Sequence, residues 1–247
     1  MPTRWSRTAR AGRRRDCRPE RPPLDEDRMQ ILILRNSESA PEGAFGEWLA
    51  AQGHKLRVVA GEEAAAQDIE EAELLVSLGS PHGAYDTHIP WIARQRTLLA
   101  ERMAQRRPTV GICFGAQMMA AAAGGDSARM KDGRFFRGWF GIARAEDPVL
   151  AGPWPRWHGD AITAPPGAAV LAEDAGTVQS FALPRAIGVQ FHPEATPAIM
   201  QDWAERYTPP GLVDASALAA ESARIYPARE AARAALYGWL LRRATEE

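Results

Sequence analysis

Two short motifs hold the side chains best suited to chemistry: a cysteine between glycines, Gly111-Ile112-Cys113-Phe114-Gly115, and a histidine beside an acid, Gln190-Phe191-His192-Pro193-Glu194. A thiol at a sharp strand-to-helix turn sits in a strained backbone, and glycines two residues to either side let neighbouring chain pass close to it. The turn presents sulfur at a helix N-terminus, where free N–H groups and the macrodipole favour thiolate, and the N–H of Phe114 can face a developing oxyanion. In the second motif, residues i and i+2 of an extended chain project to the same side. The carboxylate of Glu194 can therefore reach the imidazole of His192, with Pro193 stiffening the link. Such a histidine can take a proton from the thiol and hand one to an amine leaving group, while the acid orients it and stabilises the imidazolium. Taken singly, the cysteine reads equally as a buried inert thiol and the histidine as half of a surface pair. Together they point to nucleophilic catalysis by the cysteine with the histidine as its base.

Positioning these groups requires a strand ending at Cys113, a helix starting beside it, and a second strand ending at His192. From Met29 onward, short apolar runs alternate with polar, helix-like stretches, as expected of an α/β fold with a mostly parallel central sheet flanked by helices. Strands are expected over residues 30–34, 55–59, 74–78 and 109–112. Helices are expected over 44–51 and 92–105, the second introduced by Pro90, and a small-residue helix over 116–123. Beyond residue 137 the pattern changes to shorter strand-like pieces, 139–143, 170–172, 178–182 and 186–190, read as an antiparallel extension or far edge of the sheet. The segment Thr208-Pro209-Pro210-Gly211 breaks the chain before a last helix over 228–243, whose Ala232, Leu236, Trp239 and Leu240 form a core-docking stripe.

The 247 residues, with 30 basic and 31 acidic side chains and a 45% hydrophobic content, suit one large soluble domain. Residues 1–28 hold nine arginines against five acids and read as a disordered arm, with a nucleic-acid- or partner-binding tail and a translated leader ahead of a start at Met29 as the alternatives, leaving residues 29–247 as the domain. The arginine run is followed by more charge rather than an apolar stretch, which argues against a signal peptide. No apolar stretch is long enough for a membrane span, and a net charge of −1 gives no attraction to nucleic acid. The two cysteines, Cys17 and Cys113, suggest neither a disulfide framework nor a zinc cluster, and a reducing, cytoplasmic setting is expected. The five histidines form no metal-ligand spacing and there is no G-x-x-x-x-G-K-[ST] loop, so neither a metal nor another cofactor is expected.

The chain resembles the class I glutamine amidotransferases, of which the glutaminase domain of GMP synthetase is a member, in its small standalone bacterial form. The resemblance rests on Gly111 to Gln117, on Gly79-Ser80-Pro81 after the third strand, and on Gln190 to Glu194, in that family's order and spacing. Tyr85-Asp86, Pro90-Trp91, Gly138-Trp139 and His158-Gly159-Asp160 extend it across residues 29–247. It implies a flavodoxin-like fold and a triad in which Cys113 attacks the carboxamide of glutamine, His192 protonates departing ammonia and Glu194 orients His192. It also implies that Phe114 and the loop at Gly79 and Ser80 hold the oxyanion, while Gln117, Gly138, Trp139 and Phe140 help hold glutamine. Ser80 departs from the commoner Gly-Gly-Pro loop and leaves the N–H donor open. His158 is a rival base, its His-Gly-Asp turn fitting a structural segment near the site. His82, beside the oxyanion loop, is a candidate contact to substrate or partner, whereas His54 reads as a helix end.

Liberated ammonia needs an acceptor, and residues 29–247 leave no room for the ATP-using synthetase that would activate one. The first expectation is a glutaminase subunit working with a separate synthetase. A self-sufficient γ-glutamyl hydrolase using the same thioester on γ-glutamyl amines or peptides is the alternative. A glutamine-binding protein without turnover is the third reading, against which the intact triad argues.

Overall fold

The computed structural model describes residues 28–246, so Cys17 and all but the last residue of the expected arm lie outside the described residues. The first half of the chain alternates β1 (Gln30–Arg35), α1 (Gly43–Ala51), β2 (Lys55–Ala60), α2 (Ala66–Glu71), β3 (Leu74–Ser77), α3 (Pro90–Ala104), β4 (Thr109–Ile112) and α4 (Phe114–Ala122). Short strands follow: β5 (Asp126–Arg129), β6 (Phe136–Phe140), β7 (Arg144–Ala145), β8 (Trp154–His158), β9 (Asp160–Thr163), β10 (Ala169–Asp174), β11 (Thr177–Leu183) and β12 (Ala186–Val189). Three helices, α5 (Pro197–Arg206), α6 (Ala215–Ala228) and α7 (Glu230–Thr245), complete it.

Eight strands form one sheet in the order β2-β1-β3-β4-β12-β11-β10-β7. The first five run parallel, and the pairings from β12 to β7 are antiparallel. The expected α/β architecture with a short antiparallel extension is therefore present, and its parallel strands follow the flavodoxin-like order 2-1-3-4-5. In such sheets ligands bind beyond the carboxyl ends of the strands.

β3, β4 and β12 are buried on both faces, which explains why they read as unbroken apolar runs. In β1 the alternation is resolved by face: Ile31 and Ile33 join Phe45 and Leu49 of α1 and Leu236 and Leu240 of α7. Leu32 and Leu34 join Ile69 of α2, Leu99 of α3 and Met118 of α4. Edge strand β2 is largely exposed and carries Lys55 and Arg57, charges that discourage edge pairing.

The strand expected over 139–143 is displaced. β6 ends at Phe140 and pairs with β8 in a separate two-stranded sheet, while Ile142 turns into the main core. Its register is set by the partner strand, with Phe136 opposite His158 and Phe140 opposite Trp154. The last helix begins at Glu230 instead of 228, because α6 runs up to Ala228 before it. Leu236 and Leu240 are buried as expected, Ala232 and Trp239 pack at the margin, and Tyr237 joins the stripe. Among the described residues no helix is long and apolar enough to cross a membrane, and no group of three His, Cys, Asp or Glu side chains is placed to hold a metal.

Candidate active site

Cys113 lies between the end of β4 and the start of α4 with φ 51° and ψ −109°, a left-handed backbone that a non-glycine residue adopts only under restraint. The restraints are visible. Its N–H donates to the carbonyl of Val189 at 2.8 Å, and its carbonyl accepts from Gln117 N at 2.9 Å, starting the helix. Gly115 makes the turn possible, since a Cβ there would lie 2.0 Å from the carbonyl oxygen of Ser77. Phe114, the first residue of α4, has an N–H that helical geometry leaves without an intrahelical acceptor.

The second motif leaves β12 as an irregular segment held from three sides. His192 N donates to the carbonyl of Pro155 in β8 (2.8 Å), Ala44 N at the start of α1 donates to the carbonyl of Glu194 (2.9 Å), and the Tyr237 hydroxyl of α7 donates to the carbonyl of Pro193 (2.7 Å). Within this clamp, His192 Nδ1 lies 2.7 Å from Glu194 Oε1, and both side chains are buried. Burial alone would depress the His192 imidazole; the charges of Cys113 and Glu194, and hydrogen bonds to both, outweigh it and push the group up to about 10. The imidazolium is thus the favoured form at neutral pH. Its ring meets Trp203 of α5 edge-on at 4.7 Å.

Gly79, just past β3, fits against the imidazole: a Cβ there would come within 3.1 Å of His192 Cε1 and 3.2 Å of Ala40 Cβ. A buried network fixes this loop. Asn36 Nδ2 donates to the carbonyl of Leu78 (2.9 Å) and to Ser77 Oγ (3.1 Å), and Gln95 Nε2 of α3 donates to Asn36 Oδ1 (2.9 Å). Behind the thiol, Gln190 Nε2 approaches Cys113 Sγ at 3.7 Å.

Cys113, His192 and Ser80 open into one pocket of about 110 Å³, walled also by Ser39, Ala40, Pro81, Trp157, Trp203 and Tyr207. A larger cleft of about 340 Å³ lies at the amino ends of β1 and β2, away from the thiol, and is crossed by the Arg57–Asp68 ion pair.

The other expected site residues stand apart from the pocket. Gln117 is buried on the first turn of α4, and Gly138, Trp139 and Phe140 lie in β6. The Trp139 indole is turned into the layer formed by α5 and α6, where its Nε1 donates to Ser222 Oγ at 2.9 Å. His158 is buried, its Nδ1–H donates to the carbonyl of Asp160 at 3.0 Å, and burial holds it down at about 3, so it is neutral. His82 is exposed, edge-on to Trp91 at 5.9 Å. Sequence reasoning missed Tyr237, Asn36 and the aromatic wall, whose members come from distant segments; only the polar Asn36 directly after an apolar strand gave a local signal.

Residues 47–203 match the sequence model of the family described as glutamine amidotransferase class-I. The chain belongs to that family. Among its class-I relatives, the GMP synthase [glutamine-hydrolyzing] of Thermus thermophilus is 38% identical over 140 residues, covering 52% of this chain and 26% of that protein. The match thus spans about a quarter of the length of that curated relative. Gamma-glutamyl peptidase 4 of Arabidopsis thaliana is 37% identical over 83 residues, 33% of this chain and 32% of the peptidase. A solved glutamine amidotransferase from Thermotoga maritima superposes with a TM-score of 0.76 at 25% identity, covering 89% of this chain and 99% of its own.

Proposed function

We propose that the chain is a thiol glutaminase with a Cys113–His192–Glu194 triad that passes ammonia to a separate ATP-using synthetase. The observation that carries this reading is the meeting of three features in one pocket: a thiol on a strained left-handed turn, a helix N-terminus, and an imidazole held charged by that thiol and by a buried carboxylate. Cys113 sulfur attacks Cδ of the glutamine side chain, and the resulting oxyanion is stabilised by the N–H of Phe114 and by the loop at Gly79 and Ser80. His192 gives its Nε2 proton to the departing nitrogen, the C–N bond breaks, and ammonia leaves a γ-glutamyl thioester. Water then attacks the thioester with His192 accepting its proton, which releases glutamate and restores the thiolate–imidazolium pair.

Gln117, four residues after Cys113 and so on the same helix face, is the side chain assigned to the glutamyl end. Any contribution of Gly138, Trp139 and Phe140 comes through their backbone, since the two aromatic rings are used in packing. The GMP synthases among the relatives support glutamine as substrate and a synthetase as partner. The alternative, hydrolysis of γ-glutamyl amides without a partner, is favoured by the aromatic wall of the pocket and by the likeness to a gamma-glutamyl peptidase. Glutamate release from glutamine, measured with and without candidate ATP-using synthetases, tests the reading. Release stimulated by one synthetase and abolished by Cys113→Ala is expected; turnover that persists in Cys113→Ala would overturn it.

A further inference from the structure

The wall of the thiol pocket is chemically one-sided. Apart from His192 it has no charged side chain, and much of it is the rings of Trp157 from β8, Trp203 from α5 and Tyr207 just beyond α5. Trp157 and Trp203 lie 5.5 Å apart, and Trp203 is fixed by its contact with His192 and by its Nε1–H donating to the carbonyl of Ser39. Tyr207 is 55% exposed at the rim. Trp203 is itself buried and Trp157 partly so, which leaves Tyr207 as the ring at the mouth of a narrow, aromatic-walled pocket.

The glutamyl end of a substrate is not what the rings cover, because an α-ammonium and α-carboxylate need charged or hydrogen-bonding partners to leave water, and beside the rings the lining offers only the hydroxyls of Ser39, Ser80 and Tyr207. Ammonia does not fit it either, being a single small polar atom that gains nothing from three rings. The wall continues from His192, the group that protonates the leaving nitrogen, so it faces whatever that nitrogen carries. Ring faces attract cations, but a cationic substituent here would lie beside the His192 imidazolium and would find no carboxylate in the lining.

We infer that Trp157, Trp203 and Tyr207 form a leaving-group subsite for γ-glutamyl amides whose nitrogen bears a neutral aromatic or alkyl substituent. The inference rests on the thioester reading above and names a substrate class for the same site. The step is balanced as for glutamine. The sulfur–Cδ bond forms, the Cδ–N bond breaks, His192 supplies the proton to nitrogen, and a neutral primary amine departs in place of ammonia.

The test uses the full chain with three probes: γ-glutamyl anilide, the γ-glutamyl amide of ethylenediamine, which carries a cation, and glutamine. Adduct formation at Cys113 and amine or ammonia release are both followed. The anilide should exceed the cationic amide in kcat/KM by at least tenfold. Tyr207→Ala, a rim change that does not threaten folding, should lower the anilide-to-glutamine ratio of kcat/KM at least tenfold, chiefly through KM, and Tyr207→Phe should restore it. Glutamine forming the Cys113 adduct while the anilide forms none, or a ratio unmoved by Tyr207→Ala, would overturn the subsite and leave the thioester reading standing. An absence of adduct with all three probes would remove the thioester reading and the subsite together.

Discussion

Replacing Glu194 by glutamine removes one negative charge and little volume, 2.7 Å from His192 Nδ1 in a site where both side chains are buried. Two unit charges about 4 Å apart at an effective dielectric of 20 attract by about 4 kcal/mol, and a hydrogen bond to a charged group contributes roughly 1.5–3 kcal/mol net. The amide of the Glu194→Gln variant would keep a neutral acceptor worth about 1 kcal/mol, so the imidazolium loses roughly 2–3 kcal/mol of support. At 1.36 kcal/mol per factor of ten, the charged Cys113–His192 pair becomes about 30- to 150-fold less favoured over its neutral form, and thioester formation, which starts from that pair, should slow by up to that factor. Losing the proton donor entirely in His192→Ala should cost about 10³- to 10⁴-fold. Because Glu194 acts through His192, the double variant should be barely slower than His192→Ala alone. With the imidazole no longer held up at about 10, the alkaline limb of the rate profile in Glu194→Gln should move to lower pH. Single-turnover adduct formation and steady-state ammonia release measure both effects. Wild-type rates in Glu194→Gln, or losses that add in the double variant, would refute the coupling and return His158 to consideration as the base.

Tyr237→Phe should lower kcat about tenfold or more with little change in KM, and should shift the pH profile in the direction of Glu194→Gln, because the lost hydroxyl anchors the carbonyl between His192 and Glu194. Unchanged kcat would make α7 packing alone. Gly115→Ala drives a methyl into the carbonyl of Ser77 and should destabilise the fold by more than about 2 kcal/mol in denaturant titration; a loss under about 0.5 kcal/mol would contradict the close packing at the turn. His158, held neutral down to about 3, binds no proton in the folded state while the unfolded chain takes one near pH 6.5. Wild-type stability should therefore fall by up to about 1.4 kcal/mol per pH unit as pH drops from 6.5 toward 3, and His158→Phe should lose that part of the slope. Identical slopes in the two proteins would show that His158 titrates normally.

The parallel strands, and the grouping of Cys113 with His192 and Glu194 that the fold brings about, were legible because their signals are local. An apolar run buried on both faces needs no distant information, and Cys113 with its glycines and His192 with Glu194 each carry their geometry within a few residues. The register of β6 was not legible, since it is fixed by pairing with Trp154–His158, whose own apolar and polar residues show no strand period. α5 and α6 were overlooked although each has a side-chain cap, Thr196 accepting from Ile199 N and Asp214 accepting from Ser216 N and Ala217 N. The helix-breaking residues Thr208 to Gly211 mark the gap between them more strongly than either helix marks itself. Tyr237 and the aromatic wall lie beyond any local pattern, for Tyr237 meets Pro193 from another helix, and Trp157 and Trp203 come from a strand and a helix that meet only in the fold.

The central claim is that carbon–nitrogen cleavage passes through a covalent bond to one sulfur. Mixing the full chain with glutamine, quenching in acid and mapping the modified peptide by mass spectrometry tests it most directly, with a synthetase partner added where the chain alone is slow. One γ-glutamyl group on Cys113, formed before glutamate is released and absent from Cys113→Ala, is the predicted result. Glutamate released with no adduct on Cys113, or an adduct on Cys17, would contradict the account.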